Sequence, residues 1–367
     1  MTRKIVVVAQ TPPPYNGQSI MNELLLSHKF DNTELIHVRM AFSNQNDDIG
    51  RFQIHKLWHL VSVITRIFYV RLRYRPIALY YPPAGPNRIP MYRDMVILIC
   101  TRWLFKYTIF HFHAGGVSKL YPKLSTFTRA LYKRAYFYPE ISIILSKLNP
   151  RDDIFFHSTR TYVVPNGVKC VAAHYAPKDT TDRLLNILSV GLMCESKGTL
   201  VLIESLGLLA KEKIRFKATF VGNFQSHEFK TRCYEYAASL GILDKICFKG
   251  SLAGDEKWNE YKNADIFCFP TFYESETFGL VLLEAMQYSL PIIASSWRGV
   301  PDIIEDQESG LLIEPRSSAN LASRLLYLIE NPDVRSLLGK NAQTRFQKHF
   351  TEQIFKEKMQ NVFENLP

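Results

Sequence analysis

The chain has 367 residues, of which 47% are hydrophobic and 22% charged, a size and balance that fit about two globular domains. It contains no run of about 18 uninterrupted apolar residues, which argues against a spanning helix, and its start, Met1-Thr-Arg-Lys running into Ile5–Ala9, has no signal-peptide pattern. The net charge of +11 is uneven: residues 1–170 hold 23 Lys+Arg against 9 Asp+Glu (+14), and the remainder 22 against 25 (−3), so the first half is the one suited to an anionic surface.

Candidate strands in the first half are Ile5–Ala9, Glu34–Arg39, Ile77–Tyr81, Thr108–His113, Ile141–Ser146 and Thr161–Val164. Pro165-Asn166-Gly167 is a turn signal, and a polar stretch follows it through Asp182. In the second half the candidates are Leu185–Val190, Lys217–Val221, Ile246–Lys249, Asp265–Phe269 and Pro291–Ala294. Helical patterns fall between these runs. Such alternation predicts an α/β protein with two doubly wound parallel sheets covered by helices. The expected division is 1–166 and 167–350, with a last helix over 351–367 packing back on the first domain.

The six cysteines, Cys100, Cys170, Cys194, Cys233, Cys247 and Cys268, form no C-x-x-C pair. Reduced thiols in a cytoplasmic protein are expected, and neither a zinc site nor a disulfide framework.

Strand one runs into Thr11-Pro-Pro-Pro-Tyr-Asn-Gly17, where Gly17 would open a helix and admit a phosphate to its backbone; a proline-rich connection is the alternative. Phe110-His-Phe-His-Ala-Gly-Gly116 ends another strand, with His111 and His113 on one face. A third metal ligand is not evident, which discounts a metal; a histidine at a strand's end followed by two glycines fits a site residue better than a core one, the alternative for His113. Ser189-Val-Gly-Leu-Met-Cys-Glu-Ser-Lys-Gly198 follows a strong strand. Gly191 lets the backbone turn, and Lys197 opens the next helix, where the dipole disfavours a cation. A bound diphosphate or plain solvent exposure would each explain a lysine there.

Glu276 and Glu284 lie eight residues apart in Pro270–Gln287. The spacing places Glu276 in a loop and Glu284 about two turns on along a helix that begins near Gly279. The amides of Phe278, Gly279 and Leu280 lie between them, suited to an anion. Two incidental carboxylates on a buried helix are the alternative.

Taken together these segments resemble the glycosyltransferase family 4 enzymes of the two-domain GT-B fold. Val164-Pro-Asn-Gly-Val168 resembles their interdomain motif, Ser189–Gly198 their donor-phosphate segment, and Phe248-Lys-Gly-Ser-Leu252 the strand and loop beside the nucleotide base. Ala264 through Met286 resembles their Glu-x7-Glu signature, followed by Trp297–Asp302 and Ser309–Ile313. The resemblance implies two Rossmann-like domains facing a central cleft, and a retaining, metal-independent transfer from a nucleotide sugar with no cofactor. Glu276 would bind the donor sugar and Glu284 the ribose. Lys197 and the amides of residues 278–280 would hold the diphosphate, with Gly17 approaching it; Gly191, Ser251 and Leu252 would line the nucleotide, and His113 would stand near the sugar. Three positions depart from the family pattern: Leu192 stands where an arginine is common, Thr277 follows Glu276 in place of glycine, and Gln18 replaces the second glycine of the first loop.

The basic, aromatic stretches Ile54–Arg75, Arg102–Tyr107 and Arg129–Tyr138 suit docking on an anionic leaflet, the alternative being an ordinary solvated face. A lipid-linked saccharide acceptor on the inner face of a cell membrane is therefore expected, in surface polysaccharide, O-antigen or lipopolysaccharide synthesis. UDP-sugars are the first choice of donor and GDP-mannose the second. A sugar-nucleotide epimerase or a phosphorylase on the same fold, and a basic nucleic-acid-binding protein, are the competing readings. No recognised nucleic-acid motif accompanies the charge.

Overall fold

In the computed structural model the described residues are 2–42, 54–172 and 184–367, with side chains of the middle segment described from residue 57. Part of the polar stretch that follows Gly167, residues 173–183, lies outside them. The chain divides into one unit of Met1–Gly167 with Glu352–Pro367 and a second of Val168–Thr351.

In the first unit the elements are β1 (Arg3–Ala9), α1 (Gly17–Ser27), β2 (Thr33–Arg39), α2 (Ile54–Tyr74), β3 (Ala78–Tyr81), α3 (Arg88–Thr101), β4 (Tyr107–Phe112), α4 (Thr126–Tyr136), β5 (Ile141–Ile144), α5 (Asp152–Phe155) and β6 (Arg160–Val163). The strands form a six-stranded sheet in the order β2-β1-β3-β4-β5-β6, and every pair is parallel. The central strands are buried on both faces, which is why Val6–Val8 and Ala78–Tyr81 read as continuous apolar runs. Val63, Ile67 and Val70 of α2 pack into the same core as Met91, Met95 and Leu98 of α3 and Tyr132 and Tyr136 of α4.

The second unit continues with β7 (Leu185–Val190), α6 (Thr199–Lys211), β8 (Phe216–Val221), α7 (His227–Ser239), β9 (Ile246–Phe248), α8 (Gly254–Asn263), β10 (Ile266–Phe269), α9 (Leu280–Gln287), β11 (Ile292–Ser295), α10 (Val300–Ile303), β12 (Leu311–Ile313), α11 (Ser318–Glu330) and α12 (Pro332–His349). Its sheet has the order β12-β11-β10-β7-β8-β9, again all parallel. Ile187, Leu206, Phe220, Cys268 and Leu325 lie at the centre of its core. β12 is a strand that the apolar pattern alone did not mark.

The last helix, α13 (Glu352–Glu364), belongs to the first unit. Arg3 donates from Nη1 to the carbonyls of Phe363 (3.0 Å) and Glu364 (2.8 Å), and Phe363 meets Phe30 edge to face at 5.1 Å. Arg160, on the edge strand β6, donates to the Asn365 carbonyl at 3.0 Å, so residues from β1 and β6 both hold the C-terminal segment.

Candidate active site

Strand order decides where a doubly wound sheet opens. In the second unit the chain builds outward from β7 through β8 to β9, then returns to β10 on the other side of β7 and builds outward through β11 to β12. The loops leaving β7 and β10 therefore diverge, and a crevice forms at their carboxyl ends. Lys197 follows β7 and Glu276 follows β10, so the crevice is where the two are brought together.

The two loops are joined by backbone. The Phe272 N–H donates to the Ser196 carbonyl at 2.7 Å. Gly198 has φ of +76°, and a Cβ there would lie 2.1 Å from the Pro270 carbonyl oxygen, so only glycine permits this approach. The left-handed Gly198 also delays the helix: Lys197 sits in a 3-10 turn, Glu195–Lys197, and α6 starts at Thr199, whereas the sequence placed Lys197 at the opening of the helix itself.

Lys197 and Glu276 form an ion pair between Nζ and Oε2. Glu276 is buried, and Thr271 Oγ1 lies 3.4 Å from the same oxygen. The Lys197 ammonium also faces the Tyr273 ring, 5.0 Å from its centroid. Thr277, the residue in place of the usual glycine, is buried as well. Leu192, at the position where an arginine was expected, is 49% exposed and brings no charge.

Glu284 stands in the second turn of α9, which starts at Leu280, one residue after the expected Gly279. Its two oxygens have separate donors. Lys257 Nζ meets Oε1 at 2.6 Å, and Tyr261 OH meets Oε2 at 2.6 Å. Lys257 and Tyr261 are four apart on α8 and so share one face. Tyr261 is fully buried and stacks on Tyr288 at 5.8 Å with 8° between the rings. Burial, and then the nearby Glu284 carboxylate, raise its hydroxyl well above the ordinary tyrosine range, so it remains a donor at neutral pH.

Phe278 is buried and meets Phe350 edge to face at 5.9 Å. Gly279 has φ of +89° and precedes α9 with no side-chain cap, which leaves backbone amides to define the helix start. Leu280 is the first residue of α9. Gly191 ends β7, its N–H donating to the Val221 carbonyl at 2.9 Å. Ser251 and Leu252 lie in the loop between β9 and α8. The root of that loop is tied to α8 by Lys249 and Glu260 at 2.6 Å.

The first unit has its own reversal, between β1 and β3. Gly17 is the first residue of α1, behind an Asn16 cap whose side chain accepts from the Ser19 N–H at 2.9 Å. Ser19 Oγ returns an acceptor to the Asn16 N–H at 3.0 Å. His113 follows β4, and its ring stacks on His111 at 3.9 Å. His111 Nδ1 is 2.5 Å from Tyr80 OH. Burial, with a contribution from His113, holds His111 well below the ordinary imidazole range, and burial pushes His113 down to about 3. Both rings are therefore neutral at physiological pH. The glycine loop after His113 is fixed by buried Asp152, which accepts from the Gly116 N–H at 2.6 Å and the Ser118 N–H at 3.0 Å. Gly17 and His113 belong to the first unit; Lys197, Glu276 and Glu284 belong to the second.

Reasoning from sequence missed Lys257, Tyr261, Thr271, Tyr273 and Asp152. Lys257 and Tyr261 stand in a strongly polar helical segment, Gly254–Asn263, where nothing local points to Glu284. Their i, i+4 spacing was the one available signal.

Residues 177–345 match the family model Glycosyl transferases group 1. A stretch of 105 residues is 41% identical to the sulfoquinovosyl transferase SQD2 of Arabidopsis thaliana, covering 28% of this chain and 20% of that protein. Among the first curated relatives the matched stretch spans less than half of the relative's own length. Solved structures match over nearly the whole chain. The Anabaena protein Alr3699/HepE in complex with UDP has a TM-score of 0.75 at 16% identity, over 99% of this chain and 100% of that one. The lipopolysaccharide outer core galactosyltransferase WaaB has a TM-score of 0.71 at 15% identity, over 99% and 100%. The chain thus has the GT-B fold, and its second unit carries the match to the Glycosyl transferases group 1 family.

Proposed function

We propose that the protein is a glycosyltransferase that moves a sugar from a nucleotide sugar to a hydroxyl of a lipid-linked saccharide, with retention at the anomeric carbon and without a bound metal or cofactor. The observation that carries this is the pairing of Lys197 with Glu276 at the strand-order reversal of a sheet unit that matches a glycosyl transferase model. A carboxylate beside a lysine and a helix start suits a ligand with hydroxyls at one end and phosphates at the other. Glu276 takes hydroxyls of the donor sugar. Glu284, its carboxylate oriented by Tyr261 and Lys257, takes those of the ribose. Lys197 and the amides of Phe278, Gly279 and Leu280 receive the diphosphate and the charge that builds on it as the glycosidic bond breaks. Gly17, at the start of α1 in the first unit, is a candidate backbone contact for phosphate, and Gly191, Ser251 and Leu252 line the nucleotide. His113, as a neutral imidazole, offers hydrogen bonds rather than a positive charge to the sugar and acceptor.

The UDP bound by HepE favours a UDP-sugar donor, with GDP-mannose second. The likeness to WaaB favours an acceptor in lipopolysaccharide, O-antigen or related surface polysaccharide synthesis. Contact with a lipid-linked acceptor calls for a surface that can dock on a membrane; no helix among the described residues is long and apolar enough to cross one. The outer face of α2 suits that role. Trp58 (75% exposed), Val61, Tyr69 and Leu72 (78%) stand three, eight and three residues apart and so share one helix face, opposite the buried Val63, Ile67 and Val70. Arg66 and Arg73 are exposed beside them, and α2 contains no acidic residue. Such a face joins apolar insertion to attraction by anionic lipid on the inner leaflet.

The test is transfer from a radiolabelled UDP- or GDP-sugar to a membrane extract, with and without EDTA. Label in the lipid fraction, equal in both, is expected. Release of an isomerised sugar nucleotide without any acceptor would instead favour the epimerase. Flotation with anionic vesicles tests the docking face: Trp58→Ser with Leu72→Ser should lose most of the bound fraction, and a wild-type chain that stays unbound at physiological salt would remove it.

A further inference from the structure

We propose that Lys257 is a second cationic contact for the phosphate end of the nucleotide, doing from α8 what position 192 does not do from the loop after β7. This rests on the donor reading given above. Charge at the site is the starting point. Lys197 is paired with Glu276 and Lys257 with Glu284, so the two carboxylates are balanced by two lysines before any ligand arrives. A nucleotide diphosphate then adds negative charge, while Leu192 offers none of the opposite sign.

The ligand itself resolves this balance. A carboxylate has about four lone-pair sites, and in Glu284 one on each oxygen is taken, by Lys257 and by Tyr261. The remaining sites are free for the two ribose hydroxyls. Tyr261 is fully buried in a stack with Tyr288 and cannot leave. Lys257 differs: its side chain is 22% exposed, on a flexible four-carbon stem, and its ammonium has two further N–H donors. With ribose hydroxyls on Glu284, that ammonium lies roughly two hydrogen-bond lengths from the ribose oxygens. The first phosphate of a nucleotide is attached to the same ribose. Lys257 also sits one turn into α8, directly after the loop that holds Ser251 and Leu252, so it flanks the path from base to phosphate. A lysine near a helix start is disfavoured by the dipole, and two anionic partners, Glu284 and the phosphate, offset that cost.

The experiment compares a nucleoside with its diphosphate. Titration calorimetry of the full chain with uridine and UDP, and with guanosine and GDP, gives the preference for the phosphorylated ligand. Lys257→Met keeps the length and removes the charge. Its preference for diphosphate over nucleoside should fall about ten-fold or more, as loss of one charged hydrogen bond implies, and Lys257→Arg should restore most of it. Partial misfolding scales both affinities together and leaves the ratio unchanged, so a melting curve separates it from the expected effect. An equal loss for nucleoside and diphosphate in a folded variant would leave Lys257 as a mere orienter of Glu284 and overturn the phosphate role. Unchanged affinities would do the same. If the wild-type chain binds no nucleotide of either base, the donor reading itself fails and Lys257 falls with it.

Discussion

Lys197 and Glu276, 79 residues apart in sequence, meet as an ion pair at the carboxyl edge of the second sheet. The pair depends on two loops from adjacent strands, β7 and β10, that a glycine and one backbone hydrogen bond hold together. Because each partner is largely buried, removing one leaves the other with an uncompensated charge. Glu276→Gln should lower kcat by about 10²–10³, the usual loss for one preorganised group facing the reacting centre. Lys197→Met should do likewise. The double variant should be far less than multiplicative, since both act on one bound sugar diphosphate. Steady-state kinetics of the three variants checks this; independent, multiplicative losses would place the residues in separate functions.

Gly198→Ala puts a methyl carbon where the Pro270 carbonyl oxygen already is, on a backbone with φ of +76°. The loops must separate or the turn must change. We expect a loss of about 2 kcal/mol or more and a melting temperature lower by about 5 °C. Nucleotide affinity should fall as well, because the same movement displaces Lys197. A melt and a titration on one preparation measure both effects.

Tyr261→Phe deletes the hydroxyl that fixes Glu284 and leaves the ring stack on Tyr288 in place. A cost of about 1 kcal/mol to folding is expected, together with a three- to ten-fold weaker nucleotide. Unchanged affinity would show that Lys257 alone orients Glu284.

His111 and His113 carry a pH signature. In the unfolded chain each takes up a proton near pH 6.5, whereas burial in the folded chain holds His113 down to about 3 and His111 well below its ordinary value. Below pH 6.5 the unfolded state therefore binds more protons, and stability falls as pH falls through that window. Each buried ring contributes up to about 1.4 kcal/mol per pH unit. Urea unfolding of wild type and His113→Gln between pH 7 and 5 should show a shallower slope for the variant by up to that amount. Equal slopes would mean that His113 is protonated in the folded protein.

The fold was largely legible because both sheets are parallel and doubly covered, so their strands are short apolar runs that announce themselves. Leu185–Val190 was placed to the residue, and the other expected strands to within two at either end. β12, Leu311–Ile313, escaped, although β9 is equally short and did not. The site was legible where it is local: Glu276, Glu284 and Lys197 sit in segments with glycine, turn and helix signals of their own. It was illegible where it is built from distance. Lys257 and Tyr261 reach Glu284 from 27 and 23 residues away across two elements, and α8 reads from sequence only as a polar helix. Asp152 organises the Gly116 turn from 36 residues away for the same reason.

The donor site stands or falls on whether Glu284 and its neighbours bind a nucleotide sugar. A thermal-shift series of the purified chain against UDP- and GDP-sugars, with Glu284→Ala in parallel, tests it most directly. A ligand bound only by the folded form raises the midpoint by mass action, and stabilisation of about 2.7 kcal/mol is reached at a hundred-fold excess over Kd. The expected result is that one nucleotide sugar raises the wild-type midpoint and leaves the variant unmoved. Equal shifts in both proteins, or no shift for any nucleotide sugar at millimolar concentration, would contradict the assignment of the donor site.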